Sequence, residues 1–369
     1  MNFHKHIVCA GIGAVLMAAQ SISWPAELAP VLQRPAQQVA NPEHAVLLDV
    51  ARAGDRLVAI GERGVIIYSD DNGTTWAQGR SPVSATLVAL AFSDELHGWA
   101  VGHSGVVLHS EDAGVTWQLQ LDGNRAAQIA LESTRSAGDV RQEKLAQLLV
   151  DDGPDKPFLD VVFTDNSQGW IVGAYGLIFR TTDGGKNWTS WLDRVDNPGG
   201  MHLYALRYDP QSEGKRIYLA GEQGYFARSV DGGEHFEAVP TPYEGSFFDL
   251  AVLRDSTLVL GGLRGNLWRS TNRGESFEQL AVDAPISWNT VTPLDSGQIV
   301  LLNQAGGVYV MDAADASLKP VGVPSGLPLT ALVAADDKRY VAVGLGGVSH
   351  IDNLGAPELQ ASQSEVVTP

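Results

Sequence analysis

Four short stretches set a carboxylate among hydroxyls at one fixed spacing: SDDNGTTW from Ser69, SEDAGVTW from Ser110, TTDGGKNW from Thr181 and SVDGGEHF from Ser229. A carboxylate so placed can ligate calcium, serve as a general acid, or accept backbone N–H bonds inside its own turn. Calcium loops end on a bidentate glutamate, and Gly79 stands where the first stretch would need one. The turn option uses every residue of the pattern. The aspartate bonds its own loop, the glycine supplies a backbone conformation other residues resist, and the aromatic packs between sheets. On this reading Ser69, Asp71, Gly73 and Trp76 are structural, as are Ser110, Asp112, Gly114 and Trp117. The same holds for Asp183, Gly185 and Trp188, and for Asp231, Gly233 and Phe236.

Other reactive side chains give no catalytic pattern. His97, His103 and His109 lie six residues apart, a spacing that fits neither one face of a helix nor a zinc site. Neither a Gly-x-Ser-x-Gly elbow nor a Gly-Lys-Ser phosphate loop occurs. No metal, no cofactor and no small-molecule substrate is therefore expected. Two sets of side chains have the character of a binding surface instead. Arg180, Arg228 and Arg269 each follow an anchor glycine by seven residues, where they can either form an arc for partner carboxylates or bond carbonyls and stack on tryptophan. The tips of recurring Gly-x-x-Gly turns carry Arg63, His103, Tyr175 and Arg264, with Glu62, Ser104, Glu222, Gln223 and Leu263 beside them.

These residues are positioned by repeats. Aligned on the first turn glycine, the anchors are Gly61, Gly102, Gly173, Gly221, Gly262, Asn303 and Gly344, at spacings of 41, 71, 48, 41, 41 and 41. The long spacing equals one period plus an insertion of about 30 residues. Each repeat has the grammar of four short strands, as in ATLVALAFSD, HGWAVG, GVVLHS and VTWQLQL. A four-stranded unit repeated seven times reads as a seven-bladed β-propeller, an all-β fold, with closure by a strand from before Ala45 or after Pro357. The insertion, residues 124–156, favours helix from about Arg125 to Val150 with Gly138 as a break. It joins blade two to blade three, so it should rise on the face of the glycine turns. Its stripe of Ile129, Val140, Leu145, Leu148 and Leu149 can cover the propeller or meet a partner.

Composition agrees with many strands and turns: 40 glycines, nine tryptophans and 18% charged residues. The net charge of −18 argues against nucleic acid and against an anionic membrane surface. Residues 1–23 have the layout of a secretory signal peptide, with a thirteen-residue apolar run from Ile7 to Ala19. The one cysteine, Cys9, would leave with it, so disulfides and thiol catalysis are not expected in the mature chain. The expected divisions are then an extension 24–44, the propeller 45–357 and a tail 358–369.

The pattern Ser-x-Asp-x-Gly-x-Thr-Trp is the Asp-box, or bacterial neuraminidase repeat. The denser GAYGLIFRTTDGGKNW, preceded by FLDVVFTDNSQGWIVG, resembles the photosystem II stability and assembly factor family. The resemblance spans roughly residues 45–352, although the boxes are lost in repeats six and seven. It implies a non-catalytic propeller with a membrane-protein client as partner, acting as a monomer after export to the periplasm or a thylakoid lumen equivalent. In a photosynthetic host it implies a photosystem subunit as client, and elsewhere another envelope complex such as a transporter. The enzymatic alternative, a sialidase-like glycosidase or a glycan-binding relative, would need an Arg-Ile-Pro start and three clustered arginines. The nearest fragment, Arg216-Ile217-Tyr218, lacks the proline.

Overall fold

The computed structural model describes residues 30–352 and Leu354, apart from Asp139, Ala284, 313–315, Val323 and 337–338. The expected signal peptide and tail lie outside the described residues. Seven antiparallel sheets follow one another along the chain, six of four strands and the seventh of three. Their inner strands are Leu47–Ala53, Leu87–Phe92, Phe158–Phe163, Leu203–Tyr208, Phe247–Val252, Trp288–Pro293 and Leu329–Ala334. The second strands are buried and apolar over most of their length, as in residues 57–61 or Gly98–Gly102, because they are covered on both faces by neighbouring blades. The core accordingly lies in the seams between blades, where Trp99, Trp170, Trp288 and Tyr218 are fully buried.

Of the chain expected to lend a closing strand, the parts before Pro30 and after Pro357 lie outside the described residues. Among the described residues the seventh blade has no fourth strand, and its inner strand packs directly on that of blade one. Thr330 Oγ1 donates to Leu47 O at 3.1 Å, and Arg52 donates to Ala334 O at 2.8 Å and Ala335 O at 3.2 Å. A buried apolar cluster shared by Leu47, Leu57, Val341 and Val343 completes this joint between blades seven and one. The chain before blade one runs back over the link between blades one and two. There α1 (Pro30–Gln33) buries Leu32, and Ser84 N–H donates to Val31 O at 2.8 Å.

The insertion is two helices, α2 (Gly123–Ala137) and α3 (Val140–Asp152). Asp122 caps α2 by accepting from Arg125 N–H at 3.0 Å. Gly138 ends it at φ +75°, its N–H shared between Thr134 O and Arg135 O, an αL stop that fits glycine. α2 buries Ala126, Ala130 and Leu131 in the seam of blades two and three, so it belongs to the core. The stripe divides: Ile129 and Leu149 pack on that core, while Val140, Leu145 and Leu148 stay exposed.

Candidate functional site

The boxes are consumed by the fold. In blade one, Asp71 Oδ1 accepts Thr75 N–H and Ser69 O–H, each at 2.8 Å, and Oδ2 accepts Thr75 O–H at 2.6 Å. Ser69 Oγ accepts Gly73 N–H at 2.8 Å, and the Trp76 indole donates to Gly73 O at 2.9 Å. Blades two, three and four repeat the carboxylate pattern around Asp112, Asp183 and Asp231. The Thr75 bonds hold the Asp71 carboxyl down to about 2. The box glycines sit at φ +83° to +85° and press on the preceding blade. A Cβ on Gly73 would meet Val341 Cγ2 at 2.5 Å, and one on Gly233 would meet the Trp170 ring at 2.5 Å. Each box is thus a clasp between blades.

The two arginine sets lie at opposite ends of the third strands. Arg180, Arg228 and Arg269 stand at the box end, and all three are engaged. Arg180 Nη1 pairs with Glu234 of the next blade at 2.8 Å and lies over the Trp170 and Trp191 rings. Arg228 donates to Arg273 O at 3.3 Å, and Arg269 Nε bonds Glu278 at 2.6 Å. Arg63, His103, Tyr175 and Arg264 stand at the turn end, on the face where the insertion rises, and are exposed. The turn tips Arg63, Ser104, Tyr175, Gln223 and Arg264 all hold left-handed backbone, φ +53° to +60°. Non-glycine residues there keep a strain of about 1 kcal/mol so that a side chain can be presented.

The central channel holds residues that the motif search passed over. Asp49, Asp160 and Asp249 occupy the third position of inner strands one, three and five; Arg207 comes from strand four. Each of the seven inner strands carries a register shift at this point, with one extra residue between its first and third positions. The extra residue of each bulge, among them Leu48, Val88, Leu159, Tyr204 and Phe248, lines the channel mouth on the turn face. Each aspartate then spans a seam. Asp49 accepts Val50 N–H at 2.8 Å and Leu90 N–H of blade two at 2.7 Å. Asp160 accepts from Val161 at 2.9 Å and from Leu206 of blade four at 2.8 Å. Asp249 accepts from Leu250 and from Val291 of blade six, both at 2.8 Å. Arg207 joins Asp160 to Asp249, the latter at 2.8 Å, bridging blades three, four and five.

Two carboxylates therefore share one guanidinium, and the third, Asp49, is held by backbone N–H groups alone. Burial works against the charge of Arg207, yet Asp160 and Asp249 hold its pKa up. Burial pushes Asp49 up to about 7 against its two backbone bonds, because no cation touches it. Asp49 is half-buried to solvent but enclosed by the channel wall, which is what raises it. Burial also raises Asp160, offset by Arg207. The repeated Leu/Phe-x-Asp-Val/Leu in LLDVA, FLDVV and FFDLA was the available signal, readable once the blades are aligned by their inner strands.

On the same face α3 and the loop Asn197–Gly200 enclose a groove of about 340 Å³, with Leu145, Leu148, Lys156 and Tyr175 in its walls. From Tyr175 an aromatic row leads to the channel mouth. Ring centres are 5.0 Å apart for Tyr175 and His202, 6.2 Å for His202 and Tyr204, and 5.5 Å for Tyr204 and Phe248. Tyr175 N–H donates to His202 Nδ1 at 3.2 Å, and the His202 backbone N–H donates to Glu222 Oε2 at 3.3 Å.

Comparison with known proteins places this ring. The model of the family described as photosynthesis system II assembly factor YCF48 matches residues 141–348. The photosystem II assembly lipoprotein Ycf48 of Synechococcus sp. (strain CC9902) is 30% identical over 153 residues, 41% of this chain and 45% of that protein. Its counterpart in Picosynechococcus sp. is 25% identical over 231 residues, 60% of this chain and 64% of that protein. The chain thus spans between 45% and 64% of the length of these two relatives. A solved structure of YCF48 bound to D1 peptide superposes with a TM-score of 0.63 at 16% identity, over 87% of this chain and 99% of that one. A propeller of this architecture, with the family model covering more than half of its length, belongs to the photosynthesis system II assembly factor YCF48 family.

Proposed function

We propose that the chain is a non-catalytic propeller scaffold that binds a membrane-protein client and assists assembly or stability of a membrane complex. The observation that supports this most directly is family membership over residues 141–348. The D1 peptide held by a solved member of the same fold points the same way. The client is a photosystem subunit in a photosynthetic host, and elsewhere another envelope complex such as a transporter. The chain works outside the cytoplasm, after removal of residues 1–23. Relatives named as lipoproteins are in keeping with export.

We place client contact on the turn face, where Arg63, His103, Tyr175 and Arg264 are exposed while the box-end arginines are spent on the fold. A catalytic reading gains nothing from the arginines. Arg207 is shared by two aspartates, and Arg216, of the fragment nearest a sialidase start, is paired with buried Asp209 at 2.6 Å. The test is purification of the tagged protein from its native membranes in mild detergent. A stoichiometric membrane protein in the eluate is expected. Recovery of the propeller alone, or turnover of fluorogenic glycosides by it, would overturn the reading.

A further inference from the structure

The groove beside α3 and the aromatic row are continuous. Tyr175 forms a wall of the groove and also opens the row, which ends at Tyr204 and Phe248 on the channel mouth. Three consecutive ring spacings of 5.0, 6.2 and 5.5 Å match the reach of about five extended residues at about 3.3 Å each. The surface is apolar and open. Leu145, Leu148 and Tyr175 are 48%, 55% and 55% exposed, large values for side chains with no fold to support from there. Tyr175 is also kept in left-handed backbone at φ +57°, which glycine would occupy without strain.

Charge selects the occupant. Lys156 in the groove wall is already paired with Asp152 at 3.1 Å and with Asp155, and its ammonium rests over the Tyr175 ring at 5.2 Å. Glu222 flanks the row beside His202. At the far end the carboxylates of Asp160 and Asp249 face the one guanidinium of Arg207. The path is therefore apolar along its length and negative at its margins, complementary to a cation on the segment it takes.

We propose that the α3 groove and the Tyr175–His202–Tyr204–Phe248 row form one track for an extended client segment. That segment carries apolar or aromatic side chains and ends on a lysine or arginine at the channel mouth. The track rests on the client-binding reading above and names the chemistry of the client. It also gives each half of the insertion a role, with α2 as the anchor and α3 as the outer wall.

The probe is a fluorescein-labelled synthetic peptide of about ten residues, alternating Leu or Phe with Ser and ending in two lysines, with a twin ending in two glutamates. Binding is read by anisotropy for the wild-type protein, for L145S/L148S and for Y175G. All three changes fall on exposed side chains, and Gly suits the backbone at Tyr175, so these variants fold. The lysine peptide should bind the wild type and lose tenfold or more in affinity in each variant, while the glutamate twin binds at least tenfold more weakly. Failure of the lysine peptide to bind, equal binding by the variants, or equal binding of the glutamate twin overturns the track. Co-purification from native membranes separates the two claims. A client retained by both variants removes the track and leaves the assembly reading standing. A client absent even with wild type removes the assembly reading.

Discussion

At the residue scale, the box separates two roles that its sequence blends. The glycine is needed for conformation and for space, and the aspartate for its acceptor oxygens. Gly233→Ala must place a Cβ against the Trp170 ring at 2.5 Å with φ held at +83° to +85°. A loss of about 2–4 kcal/mol is expected in urea unfolding, and a loss under about 0.5 kcal/mol would mean that the blades can slide apart there. The aspartate is more forgiving. In blade five Asn272 holds the same place, with Oδ1 accepting Ser276 N–H at 3.0 Å and Nδ2 donating to Ser276 Oγ at 2.8 Å. Asp112→Asn should therefore cost less than about 1 kcal/mol and Asp112→Ala about 1–2 kcal/mol. The protonation sign follows from the lowered folded-state pKa. Box carboxylates contribute fully above the unfolded-state value near 3.9 and lose that contribution as the pH falls towards about 2, as for Asp71. Equal midpoints for the Asn and Ala variants would show that the turn does not depend on these oxygens.

At the element scale the insertion is half core and half surface, and its two helices should respond differently to truncation. Leu131 on α2 is buried in the seam of blades two and three, so Leu131→Ala should cost about 2–4 kcal/mol. Leu148→Ser on α3 should leave the unfolding midpoint within about 0.5 kcal/mol of the parent; a large loss there would put α3 in the core as well. Excising residues 124–156 would strip cover from Phe158 and Leu177, so lost binding in such a deletion would report on the fold as much as on contact. Blades, turns and this hairpin were legible in the sequence because their signals are local: a 41-residue period, glycine at turns, and helix formers around Gly138. Ring-level contacts were not. Arg207 finds Asp160 and Asp249 across 47 and 42 residues, and the Tyr204–Phe248 contact exists because bulges aim both into one mouth. The apolar joint between blades seven and one was hidden likewise, since Leu47, Val341 and Val343 read as ordinary strand residues until the circle brings them together.

At the scale of the whole molecule, the channel makes the ring sensitive to pH between the ordinary carboxylate range and neutrality. Asp49 titrates near 7 when folded and near 3.9 when unfolded, so between these values the native ring holds a proton that the open chain has released. Stability from this group is therefore greatest at low pH within that window and falls as the pH rises through it; Asp160, also raised by burial, acts in the same direction. The box carboxylates do not oppose this above about pH 4, because their charged form is favoured in both states there. The urea midpoint should consequently be higher at about pH 5 than at about pH 8, and Asp49→Asn should flatten most of that slope. The amide can accept only one of the bonds from Val50 and Leu90, so the variant should lose about 1 kcal/mol at every pH. That uniform loss is separable from the slope, which reports the proton alone. A variant that keeps the parental slope would show that Asp49 is already ionised throughout, and that the negative channel costs the ring nothing across this range.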